Sequence, residues 1–166
     1  MATALLITRD DLVRFTAVNG NVDTDKFIQF IKIAQDIHIQ NYLGTKLLQK
    51  IQADIVAGTL TGNYESLVET YVKPMLIHWA MVEYLPFAAY TIANKGVYKH
   101  SSENSENVEK NEVDFLIEKE RQIAQHYTER FIDYIVFNNN LFPEYYNNSN
   151  GDMYPDTTNN YTGWYI

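Results

Sequence analysis

Leu76-Ile77-His78-Trp79-Ala80-Met81-Val82-Glu83-Tyr84-Leu85-Pro86-Phe87-Ala88-Ala89-Tyr90 leaves almost no face for water. Only His78 and Glu83 in it are clearly polar. A helix that is apolar all round lies inside a core or an interface. A membrane span is a poor reading, because Glu83 sits in the run and Pro86 breaks or kinks it. The run extends upstream through Tyr64, Leu67, Val68, Tyr71, Met75 and Trp79 at helical spacing, opens near Asn63 and closes at Gly96.

Other amphipathic segments surround this central one. Thr8 with Asp10 and Asp11 reads as a capped helix start with acids in its first turn. Asn19-Gly20-Asn21 ends that helix, and Asp23 caps the next. Phe27, Phe30, Ile31, Ala34 and Ile37 give the second helix its apolar face, up to a bend at Gly44. Leu47, Leu48, Ile51 and Ile55 mark a third helix, stopped by Gly58. Residues 99–110 are polar and read as an exposed loop. Val113, Leu116, Ile117, Ala124, Tyr127, Phe131 and Tyr134 then mark a long last helix ending near Asn138. No stretch shows sustained strand alternation. The expected fold is all-α: an antiparallel bundle of four to five helices with an extended C-terminal arm. Residues 1–138 form the helical domain and residues 139–166 the arm.

The arm is distinctive. Residues 131–166 contain neither lysine nor arginine, and the tail is rich in asparagine and tyrosine. It has too few aliphatic residues for a core and too many aromatics for a solvated linker. It reads as an arm that orders on a surface, either its own body or a neighbouring subunit. Tyr145, Tyr146, Tyr154, Tyr161, Trp164 and Tyr165 are its candidate interface anchors.

Composition narrows the chemistry. The 166 residues suffice for one domain with a real core. There is no cysteine, which excludes disulfides, thiolate catalysis and zinc–sulfur sites. A formal net charge of −8 argues against a reader of nucleic-acid phosphates, which needs a basic face. It suits a protein that DNA passes without sticking. No secretory signal is visible, so the compartment of synthesis reads as cytoplasmic, and two Asn-x-Ser/Thr matches in the tail read as accidents of composition.

No catalytic, cofactor or metal motif is found. None of His38, His78, His100 and His126 belongs to a His-Glu-x-x-His or Glu-x-x-His pattern. Asn19, Asn21 and Asp23 open like a calcium loop, but Thr24 and Phe30 occupy its glycine and glutamate positions. His78 reads as a hydrogen-bonded core histidine. Glu83, about 140° from it around the helix, needs a partner from another helix or subunit. Glu118, Glu120, Arg121, Glu129 and Arg130 read as a solvated face.

Asp25-Lys26-Phe27-Ile28-Gln29-Phe30-Ile31-Lys32-Ile33-Ala34-Gln35-Asp36-Ile37-His38-Ile39-Gln40-Asn41-Tyr42-Leu43-Gly44 resembles the opening helix of head–tail connector proteins of tailed bacteriophages. The similarity continues at residues 71–79, 83–87 and 94–97 and at Phe142-Pro143-Glu144-Tyr145, and together these stretches resemble a connector or ring protein of crAss-like phages. The resemblance implies an adaptor without catalytic residues or cofactor, forming a ring of twelve copies that matches a portal. Its implied partners are other copies of itself, the portal protein and the next ring or tail component. Genomic DNA would pass without specific binding, and no membrane is involved. Its implied place is the virion neck, after assembly in the host cytoplasm. The 13 tyrosines are more than one core shields, as a subunit with several interfaces would require. Two other readings stand beside it: a small helical protein-binding or regulatory domain acting as monomer or dimer, and an enzyme using Glu83 and His78.

Overall fold

A computed structural model describes residues 3–18, 24–88, 90–93, 96–99, 110–147 and 151–158. The fold is all-α. Helix α1 is Arg9–Phe15, and Thr8 caps it. The Thr8 hydroxyl accepts from the Asp11 amide while the Asp11 carboxylate accepts from the Thr8 amide at 2.8 Å, a reciprocal capping box. Helix α2 runs through Thr24–Ala34, a π-helical turn at Gln35–Ile39, and Gln40–Leu43. Helix α3 is Thr45–Ala57. Helix α4 begins at Gly62–Leu67, passes a second π turn at Val68–Val72 and continues as Lys73–Tyr84.

The apolar run does not stay helical to Tyr90. A 3-10 turn at Leu85–Phe87, holding Pro86, closes α4, and an antiparallel hairpin follows. Its strands are β1, Tyr90–Ala93, and β2, Gly96–Lys99, with Tyr90 opposite Lys99. Proline cannot continue the hydrogen-bond ladder, and Tyr-Thr-Ile against Val-Tyr suits a pleated ribbon. Helix α5 is Lys110–Phe137, followed by a 3-10 turn at Asn139–Leu141 and the single turn α6, Pro143–Tyr146.

Helix α4 lies between α2 and α5, as its sequence requires. Met75, Leu76, Ile77, Trp79, Ala80, Met81, Val82 and Tyr84 are all buried. Both neighbours run antiparallel to it. Phe27 meets Tyr84 while His38 meets Trp79, and Tyr71 stacks on Tyr134 while Trp79 reaches Thr128.

Two expectations for helix faces need correction. Ile37 is 55% exposed, and Ile39 takes its place in the core. The π turn inserts one extra residue and rotates the stripe forward. Leu116 is also exposed, because the buried residues of α5 begin only at Ala124. The expected Asn19-Gly20-Asn21 turn, the Asp23 cap and residues 100–109 of the polar loop lie outside the described residues.

Candidate functional site

The polar side chains of the three-helix seam form two stacked assemblies. His38 stands in the π turn of α2, with its ring parallel to Trp79 of α4 and the centroids 3.9 Å apart. Its Nε2 is 2.8 Å from Glu83 Oε1. Glu83 thus finds its partner on another helix. Burial holds the His38 imidazole below its ordinary value of 6.5, against the opposing pull of Glu83 and with a smaller push from Arg121. A carboxylate only accepts, so the neutral ring donates from Nε2. On its other side Trp79 donates from Nε1 to Thr128 Oγ1 at 3.0 Å, and Thr128 bonds back to the Ala124 carbonyl.

His78 and Glu83 do not share a site. His78 Nδ1 lies 2.7 Å from Glu120 Oε2 of α5, and its ring stacks on Tyr127. Glu120 is therefore not part of a solvated face; its side chain is only 18% exposed. Glu118 and Arg121 do pair in solvent at 3.1 Å. Arg130 lies over the Tyr71 ring. His78 also lines a cleft of about 280 Å³ between α1 and α4, with Asp11, Phe15, Glu69, Lys73 and Tyr127. Lys73 there is already held by Glu69 at 2.7 Å. Among the described residues no three acidic or histidine side chains gather as metal ligands, and no helix is long and apolar enough to cross a membrane.

The candidate interface anchors fall into three groups. Tyr145 is buried to 2% exposure within its own chain, beside a fully buried Phe142. It is a core residue here and not a surface anchor. Its hydroxyl has no hydrogen-bond partner among the described residues, and burial pushes it up to about 12. Tyr146 and Tyr154 are exposed, as an anchor must be. Tyr161, Trp164 and Tyr165 lie outside the described residues.

The chain therefore does not leave the body at residue 138. Tyr64 of α4 donates to Glu144 at 2.5 Å and meets the edge of Phe142. These contacts pull α6 against the bundle. Beyond α6 the strap, residues 151–158, lies across the corner between α2 and α3. Thr45 N donates to the Met153 carbonyl at 3.0 Å, and Asp156 N donates to the Asn41 carbonyl at 2.8 Å. The tail lacks the aliphatic residues a core needs, but two aromatic rings and a row of amides suffice to dock it.

Large apolar side chains remain in water. On α5 they form two patches, Phe115 with Leu116 near its start and Val136 with Phe137 at its end. Phe137 is 88% exposed. The patches are about 33 Å apart along the helix, at 1.5 Å per residue. Exposed phenylalanines had no signal of their own in the sequence. Phe115 stands one position before the expected stripe, and Phe137 at the helix end.

A family model described as a family of unknown function, DUF6712, matches residues 39–155. The chain belongs to the DUF6712 family. The match covers the α2–α3 corner and the strap as far as Pro155, so in this DUF6712 member both partners of that contact fall inside it. Neither the comparison with curated proteins nor that with solved structures returned a match.

Proposed function

We propose that this DUF6712 member is a structural virion protein, an adaptor that forms a ring at the head–tail junction of a tailed phage. The ring, of twelve copies, docks on the portal and meets the next ring or tail component below. DNA passes through it without specific binding. The protein works by contact and not by catalysis.

The observation that carries this reading is the pair of separate apolar patches on α5. A closed ring is built from head-to-tail contacts, and these need two different surfaces on each copy. Surplus exposed aromatics and an excess of acidic charge support the same reading, since like charge keeps DNA from adhering to a channel wall. The resemblance of residues 25–44 to connector helices supplies the particular kind of ring.

Mixing the purified chain with the portal protein of its own phage tests this by light scattering and cryo-electron microscopy. A ring capping the portal is the expected outcome. A particle that stays monomeric or dimeric with portal present sinks the adaptor reading and favours a small helical binding domain.

A further inference from the structure

We infer that the corner between α2 and α3 is a receptor for an extended Met-Tyr-Pro-Asp segment, and that it accepts residues 153–156 of a second copy of this chain in exchange for its own. The seat is made by Gly44, with φ +75° and ψ 156°, a conformation reserved for glycine. A Cβ on Gly44 would come within 2.8 Å of both Cδ and Cγ of Pro155. The proline ring thus rests on bare backbone.

Helix ends on either side complete the seat. The Asn41 carbonyl, in the last turn of α2, and the Thr45 amide, in the first turn of α3, have no partner inside their helices. Asp156 N and the Met153 carbonyl satisfy them. Thr45 Oγ1 also accepts from Met153 N at 3.2 Å and is itself held by Gln40 Nε2 at 2.9 Å. Pro155 has no amide hydrogen and demands no acceptor where it faces Gly44.

The seat belongs to the body. Leu43 and Leu47, flanking Gly44, are fully buried, so the core fixes the corner. In contrast Tyr154 is 67% exposed and Met153 is 39% exposed. The hydrogen bonds and the ring contact at the seat are each of modest net strength. Asn147-Asn148-Ser149-Asn150, which joins the strap to α6, offers no apolar side chain to bind it to its own body. Every contact that seats the strap is available in trans. The tether alone favours the chain's own corner, and that advantage shrinks when copies stand side by side. The inference needs self-association only, and no portal.

The chain has no cysteine, so single cysteines report the docking cleanly. Full-length Asn41→Cys and Asp156→Cys chains, of different mass through a tag, are mixed in urea, refolded together and oxidised. Full-length Asn41→Cys/Asp156→Cys checks that the pair can close within one chain. Asn41→Cys mixed with Glu118→Cys, a solvent-facing site on α5, measures random collision. The expected result is internal closure of the double variant, and a 41–156 heterodimer on a non-reducing gel several-fold above the collision pair. A synthetic peptide of residues 151–158 should lower that yield. A heterodimer no more abundant than the collision pair, with the double variant closed, means the strap docks only at home and overturns the exchange. A double variant that does not close overturns the receptor itself. Neither outcome touches the portal experiment, which uses no cysteine variant.

Discussion

His38 shows what a single buried side chain commits this fold to. It lies against Trp79, donates to Glu83 and sits near Arg121, so those three define its charge environment. Burial lowers its affinity for protons below the ordinary 6.5 despite Glu83. Around that pH the unfolded chain binds more protons than the folded one, and stability rises with pH. The His38 contribution is complete above 6.5 and is lost as pH falls through the lower folded value. Urea midpoints taken between about pH 8 and pH 5 should therefore fall for the native chain. In His38→Gln, which keeps a donor for Glu83 but does not titrate, that part of the slope should vanish. Equal slopes in the two proteins would remove His38 as its source. From sequence Glu83 could be seen to need a partner, but His38 could not be named. Its ring reaches Glu83 only because the π turn carries it there. Glu120 was misread for a simpler reason: two positions along a helix turn a side chain by about 200°, so Glu118 and Glu120 do not share a face.

The two isoleucines of the π turn give the test at the level of the element. Regular 3.6-residue periodicity puts Ile37 in the core, whereas the observed helix buries Ile39 completely and leaves Ile37 exposed. Ile39→Ala should cost about 2–5 kcal/mol, through lost burial and the cavity left behind. Ile37→Ala should fall within about 0.5 kcal/mol of the native protein, as exposed positions do. Chemical denaturation of both variants ranks them, and the reverse order would mean that α2 is a regular helix. Stripes on α3 and on the first part of α2 were legible because nothing interrupts their period. Gly44 was legible as a bend, but its second role was not. Only the folded chain brings Pro155, over a hundred residues later, against its missing Cβ. The hairpin escaped for want of length, since four residues a side give too little alternation to stand out from an apolar run.

At the scale of the whole molecule, the question is where body ends and arm begins. The change of composition near residue 138 is real, yet packing continues past it. Phe142 is 0% exposed and Tyr145 2%, within the range of the buried residues of α4. Cutting the chain after residue 138 therefore removes two core aromatics together with the arm, and loss of assembly in that variant would say nothing about contacts between subunits. Each large buried aromatic is worth about 3–5 kcal/mol against alanine, comparable to much of a domain's net stability of about 5–15 kcal/mol. That truncation should be unfolded or molten at 25 °C by near-ultraviolet circular dichroism. A cut after residue 158 keeps both aromatics and the whole strap, and removes only the segment with Tyr161, Trp164 and Tyr165. If those three anchor a neighbour, its melting temperature should stay near that of the full chain while its assembly on portal falls. Phe137→Asp is the matching test at the other candidate contact, because a side chain 88% exposed in the single copy can carry charge at little cost to the fold. It should spare the melting temperature and weaken ring closure. Rings that form undiminished from both variants would leave the exposed aromatics without a role in assembly, and the adaptor reading without the physical reason that now supports it.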